Sequence, residues 1–575
     1  MLRTFTYSLL SFLLIITLSC QQQTPADLIV RNGTIYTVNE AQPQAEAVAV
    51  VDGKIAFVGS AAEAENWIGD ETQVLDLDGK TMTPGFIEGH AHFLGVGENK
   101  MNLDLLAIRS FEEIASMVAA AAAEARPGVW ITGRGWHQDK WDSLPGEMIK
   151  GFPTHDLLSE AAPNNPVYLR HASGHAAIAN QKAMELAGVM NIKREGAQLG
   201  EVAGGEVFRD ELGNPTGVFN ENAMGLVTQH IPTRTLESYL RAAELAMEEC
   251  LSHGITSFHD AGITQDVVQL YKQLAEQGKL KVRLYAMLSG RDSTLLKEYF
   301  EKGPEVGLGN DFLTIRSIKL YTDGALGSRG AWLLAEYSDM PGQYGHETTP
   351  VPVIHDIALK GLQHGFQVCS HAIGDRANQE VLNQYESAIE QLPEMAKDHR
   401  YRIEHAQHLN AADIPRFAEL GVIPAMQAVH MSSDRPWAIE RLGEERIEEG
   451  AYVWRKLIDS GAIIVNGTDA PVEPIAPLAS FYASVARKTL KGEPEGGYEP
   501  SQRMSREEAL KTYTWNAAYG AFEEDIKGSI EVGKLADFTV FSQDIMQMPE
   551  AEILTTEVDY TIVDGKVAYA RDQSE

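Results

Sequence analysis

Two histidines one residue apart, His90 and His92, close an apolar run near the start of the chain. Side chains two apart on a strand leave the same face, so both imidazoles can meet one cation. With 17 histidines in 575 residues, such a pair alone is close to a chance event. Its company sets it apart. Lys319 stands late in another short apolar run, His371 and His405 end two more, and Asp469 follows a fourth.

These runs belong to a series of eight, at 83–90, 254–260, 282–288, 315–322, 367–371, 401–405, 422–427 and 463–468. Each is short and apolar, as strands covered on both faces are. Amphipathic stretches at 110–125, 236–251, 265–277, 353–363, 377–391, 412–420 and 509–518 separate or follow them and read as helices. Ser110 with Glu113, and Ser505 with Glu508, have the spacing of capping boxes. Eight strands with crossover helices predict a (β/α)8 barrel, an α/β fold of the TIM type. The carboxyl ends of barrel strands converge on one face, which brings His90, His92, Lys319, His371, His405 and Asp469 together. The interval of about 94–253 is too long for a βα loop and holds strand-like pieces at 129–132 and 167–170. It reads as an insertion at the barrel mouth.

Both ends of the chain have a different texture. Short alternating runs are joined by Asp52-Gly53, Asp78-Gly79 and Asp564-Gly565, the strongest short hairpin signal. Segments 27–82 and 527–571 are therefore expected to form one small β-sandwich around a barrel spanning 83–526. Arg3, the apolar run 5–18 and Ser19-Cys20 read as a secretory signal over 1–19, too short for a comfortable membrane span, with 20–26 as linker. The segment resembles a bacterial lipoprotein signal, with Thr17 where leucine is commonest. That resemblance implies an exported protein whose Cys20 is lipidated, facing the periplasm or exterior; ordinary secretion is the alternative. Such an anchor would be the only membrane contact. The net charge of −33 excludes nucleic acid as a partner, since phosphate binding needs clustered Lys and Arg. Three cysteines make neither a disulfide framework nor a thiolate metal cluster.

The chain resembles the amidohydrolase superfamily over nearly all its mature length. The likeness rests on Thr83-Pro-Gly-Phe-Ile-Glu-Gly-His90-Ala-His92, Lys319-Leu-Tyr-Thr-Asp323-Gly-Ala-Leu-Gly-Ser, His371-Ala-Ile-Gly-Asp375-Arg, Ile403-Glu-His405-Ala-Gln and Gly467-Thr-Asp469-Ala-Pro. Within it, the chain looks like amidohydrolase family 3, the branch of N-substituted formamide deformylase-like enzymes. The resemblance implies that His90, His92 and Asp469 hold one divalent metal and that His371 and His405 hold a second. Lys319 would bridge them after N6-carboxylation, because an ammonium has no lone pair to donate. Histidine and carboxylate suit zinc, with manganese, iron and nickel as alternatives, and one or two ions are open. A metal-activated water would then cleave a non-peptide carbon–nitrogen bond of a small-molecule substrate, Asp469 relaying its proton. Ring deamination or cyclic-amide hydrolysis uses the same fold. A lipid-anchored binding protein without catalysis is the reading of another class, and the complete ligand set argues against it.

Four further residues have two readings each. Arg170 and His175 either orient a substrate carboxylate or carbonyl, or pin the insertion to the barrel. Asp323, with Arg329, either reaches substrate or forms a structural salt bridge. Trp136, with Trp141, either walls an apolar pocket or packs a core. His259 is expected to support a ligand from behind, and Cys369 to be a small buried strand residue.

Overall fold

The apolar runs become the staves of a barrel in this computed structural model, which describes residues 24–191, 201–202, 204–232 and 235–571. The export signal expected over 1–19, and Cys20, lie outside the described residues. The staves are β1 (Phe86–Ala91), β2 (Ile255–Ile263), β3 (Arg283–Ser289), β4 (Leu313–Tyr321), β5 (Gln367–Ala372), β6 (Arg402–His405), β7 (Ile423–Met426) and β8 (Val465–Asn466). Each pairs in parallel with the next in chain order. Every residue of β1 and β5 is buried, which is why these strands lack polar alternation.

Between β8 and β1 the closure runs through the segments beyond β8 and through a side chain. Asp469 N–H donates to the His90 carbonyl, and His92 N–H to the Ala470 carbonyl, both at 2.8 Å. Glu88 accepts from the Thr468 N–H at 2.6 Å and from its hydroxyl at 3.0 Å. Burial pushes the Glu88 carboxyl up to about 8. The same bonds that shut the barrel therefore fix Asp469 beside the His90–His92 pair.

One expected strand divides. The run 83–90 breaks at Gly85, whose N–H donates to the Asp537 carbonyl. Before it, Thr81–Pro84 joins a sheet with Phe538–Phe541; after it, the chain enters the barrel. That mixed sheet has eight strands and combines both ends of the chain. Leu28–Tyr36 pairs at one end with Gln73–Asp76 and at the other with Thr81–Pro84, so the hydrogen bonding is continuous through the sheet. Asp52-Gly53, Asp78-Gly79 and Asp564-Gly565 all have positive φ at both residues; the first and last close hairpins, whereas Asp78-Gly79 turns between two strands that both run parallel to Leu28–Tyr36. On β3, the buried Arg283 guanidinium grips Asp537 at 2.7 and 3.1 Å, tying this sheet to the barrel.

The insertion carries a seven-stranded sheet of its own. Its order runs Glu201–Val202, Gly205–Arg209, Pro215–Asn220, Ala176–Ala179, Val167–His171, Ile131–Trp136 and Leu103–Asp104. Helix Phe111–Glu124 packs on one face, with Ser110 capping it through the Glu113 N–H; Ser505 and Glu508 form a complete capping box. Among the described residues, no helix is long and apolar enough to cross a membrane.

Candidate metal centre

The carboxyl ends of β1, β4, β5, β6 and β8 deliver the six polar residues to one place. Single donor atoms of His90, His92 and Asp469 lie within 4.8 Å of one another. Asp469 Oδ1 is 3.2 Å from His92 Nε2 and 3.7 Å from His90 Nε2. Lys319 Nζ stands 3.2 Å from His90 Nε2. The His371 and His405 rings approach to 4.4 Å between centroids, and the His90 and His405 rings to 5.0 Å.

The imidazole rings are held from behind. His90 Nδ1 bonds the Glu404 carboxylate, and Arg402 grips Glu404 at 2.7 and 2.9 Å. Arg402 also donates to the Gly89 carbonyl at 2.7 Å and meets His259 Nδ1 at 3.0 Å. Burial opposes the Glu404 charge, but Arg402, His90 and Lys319 together outweigh it and hold the carboxyl well below its usual range. His405 Nδ1 pairs with Gln427 Oε1 at 2.7 Å. A histidine anchored at Nδ1 turns Nε2 toward the cavity, which is how metal-binding imidazoles are oriented.

The donor chemistry fits a divalent cation. Burial lowers the His90 pKa to about 4, and burial also holds His371 and His405 well below the ordinary imidazole value. Neutral rings with free lone pairs are the ligand state of histidine. His371 Nε2 and Asp469 Oδ1 are buried and make no hydrogen bond among the described residues. Such atoms are rare unless an ion or water completes them. Lys319 is 1% exposed, has no carboxylate at ion-pair distance among the described residues, and is lowered by burial.

Above the centre, a cleft of about 540 Å³, including its open mouth, separates barrel from insertion. His175 lines it, its ring 5.3 Å from that of His371. The other three residues weighed for substrate contact have different surroundings. Trp136 is fully buried in the insertion core and donates its indole N–H to the Leu169 carbonyl at 2.9 Å. Arg170 is exposed and donates to the Gly174 carbonyl at 3.0 Å, closing its own hairpin. Asp323 is fully buried and accepts backbone N–H bonds from Trp332, Ile373 and Gly374 at 2.8–3.0 Å. Burial raises its carboxyl to about 7. Asp323 thus clamps the loop after β4 to the end of β5, and the salt bridge weighed for Arg329 is made with Asp339 at 2.7 Å. Cys369 is a fully buried strand residue.

Sequence reading passed over Glu404, Gln427 and Glu221, and the polar wall of Lys140, His430, Asp434 and Glu473. Arg402 and Glu404 did leave a trace: two charged residues two apart on an apolar strand share a face and pair. Glu221 left none, since its partner is 46 residues away across an irregular insertion.

A parallel barrel that gathers neutral imidazoles, a carboxylate and a buried lysine at its strand ends defines a metal-dependent hydrolase. Residues 73–569 match the model of the amidohydrolase family, and the chain belongs to that family. Over 95% of its length it is 33% identical to Protein LONG AFTER FAR-RED 3 of Arabidopsis thaliana, covering 92% of that protein. It is 28% identical to N-substituted formamide deformylase of Arthrobacter pascens, over 95% of this chain and 98% of that one. Among solved structures, an uncharacterized metal-dependent hydrolase from Pyrococcus horikoshii aligns with a TM-score of 0.72 and 28% identity, over 91% of this chain and 99% of that one. The protein is a hydrolytic enzyme acting on carbon–nitrogen bonds.

Proposed function

We propose that the substrate is a small non-peptide amide and that the metal is zinc in two positions, with Lys319 carboxylated between them. The observation that carries this reading is a buried lysine with no acidic side chain at ion-pair distance among the described residues, its Nζ 3.2 Å from the His90 imidazole Nε2. A lysine lowered by burial keeps more of its amine uncharged, the form that adds carbon dioxide. His90, His92 and Asp469 would hold one ion, and His371 and His405 the other. Zinc there supplies a Lewis acid for the carbonyl and acidifies water.

The chain's own groups do the rest. Glu404 and Gln427 keep His90 and His405 from turning. Asp469, set between β8 and β1, accepts the proton of the attacking water and returns it to the departing nitrogen. The cleft beneath the insertion admits the substrate and limits water around it. The 28% identity with N-substituted formamide deformylase favours an N-substituted amide.

Three measurements test this. Purified protein should contain stoichiometric zinc that His90→Ala loses; wild type without transition metal would end the metal reading. A crystal map should show added density on Lys319 Nζ, and a bare amine between fully occupied metals would remove the bridge. A panel of N-formyl, N-acyl and cyclic amides should yield a substrate for the metal-loaded enzyme, and cleavage of none would sink the amide assignment.

We also propose export, with Cys20 as a lipid-bearing first residue. The basic start, apolar run and Ser19-Cys20 support it. Labelled fatty acid should enter the wild type and not Cys20→Ala; labelling of neither overturns the anchor.

A further inference from the structure

The insertion reaches into the barrel at one point. Strands Ala176–Ala179 and Pro215–Asn220 pair antiparallel with Ala176 opposite Asn220, so His175 and Glu221 leave the ladder side by side. Glu221 N–H donates to the His175 carbonyl at 2.9 Å, and its carboxylate Oε2 meets His175 Nδ1 at 2.9 Å. Backbone and side chain lock the same pair.

Glu221 holds this position at a cost. Its φ is +44°, in the left-handed region that residues with a Cβ avoid. It is 8% exposed, and its Oε1 has no hydrogen-bond partner among the described residues. The barrel has cleared a space for that oxygen. A Cβ built on Gly324 would stand 2.3 Å from Oε1, and one on Gly330 2.7 Å away. Both glycines sit on the loop after β4, the strand that carries Lys319. An apolar side chain would fill the gap without leaving an unpaired oxygen, so packing does not account for a carboxylate there.

The chemistry of the pair does. A carboxylate only accepts, so the proton of the neutral ring lies on Nδ1 and Nε2 presents a lone pair. No described residue bonds Nε2, and His175 lines the cleft beside His371. An acceptor fixed beside the metal centre suits a substrate that brings a donor. An amide whose carbonyl lies at the metals has one there, its own N–H.

We propose that His175 is a substrate-binding residue that accepts the amide N–H, that Glu221 is the residue positioning it, and that secondary amides are therefore the preferred substrate class. This rests on the amide reading above. The test uses the full-length metal-loaded enzyme with a cleaved secondary amide and its N-methyl tertiary partner. Wild type should favour the secondary amide by at least tenfold in kcat/KM. In Glu221→Gln, whose amide can donate as well as accept, that ratio should fall several-fold with zinc content retained; in His175→Phe it should approach one. A purely steric objection to the methyl group would leave the Glu221→Gln ratio unchanged, and that result overturns the proposal. Loss of zinc in His175→Phe also overturns it, by making His175 a metal ligand. Nitrogen-15 spectra of the metal-free protein, with His175 assigned by difference, give a second readout. A lone-pair nitrogen at Nε2 is expected, and a protonated Nε2 with bare Nδ1 would refute the tautomer. Cleavage of neither amide by wild type condemns the amide reading, whereas cleavage with a flat ratio condemns only His175.

Discussion

Two carboxylate–histidine pairs face the same centre, and they are built differently. In the barrel, His90 and Glu404 are almost wholly buried, and Arg402 cancels the carboxylate's charge through a two-pronged grip. In the insertion, His175 remains partly exposed, and Glu221 has a strained backbone and, among the described residues, one unpaired oxygen and no lysine or arginine within ion-pair distance. A pair that must hold a metal ligand can be embedded in strands and neutralised there. A pair that meets substrate sits where the chain is irregular, and its tension is borne by its surroundings.

The sharpest way to break the comparison is to remove each histidine. His90→Ala should strip the metal and lower kcat/KM by about 10³-fold or more, as loss of an essential catalytic group does. His175→Phe should keep the metal. Metal analysis of both variants decides it, and equal losses would make the pairs alike.

The carboxylates come next. Glu404→Ala leaves Arg402 as an uncompensated buried charge and should cost about 3–5 kcal/mol in denaturant unfolding. Glu221→Gly should stay within about 1 kcal/mol of wild type, because relief of backbone strain and of an unpaired oxygen offsets the lost bond.

Titration separates Glu404 from Glu88, the carboxyl two residues before His90. The folded Glu404 pKa lies below its unfolded value near 4.5, so its contribution is complete above that pH and fades as pH falls below it. The folded Glu88 pKa is raised to about 8, so the sign reverses. Ionising Glu88 is harder folded than unfolded, and stability should fall as pH climbs from about 4.5 to about 8. Unfolding of metal-free protein across that window should show a slope that Glu88→Gln reduces, by an amount on the order of a few kcal/mol at most. The smallest effect belongs to Glu221→Gln, the several-fold change in amide preference described above.

Most of the scaffold was legible because a barrel strand is short, apolar and followed by a polar residue. Seven of the eight runs fall within two residues of a strand end as observed at their starts, and only the first needed splitting, at Gly85. That His90, His92, His371 and His405 come together was legible for the same reason: each stands at the carboxyl end of a barrel strand, and those ends converge. The supporting groups were not. Gln427, just past β7, holds the His405 ring of neighbouring β6, and Glu404 on β6 reaches across the barrel to the His90 ring on β1, relations that appear only once the barrel is assembled. Gly324 stood in a recognisable motif, yet its purpose depends on a carboxylate 103 residues earlier. Trp136 showed the reverse, a conspicuous aromatic whose surroundings are a core.

The mixed sheet sets an order of assembly. Phe538–Phe541 lies between Thr81–Pro84, made early, and Val558–Val563, made late. During synthesis the early strands must wait, with an unpaired edge, until more than four hundred residues have followed. Arg283 waits with them, its guanidinium lacking Asp537 until that residue arrives. A strand made late is thus the one that fastens strands made early, and loss of Phe538–Phe541 should release both of its neighbours together.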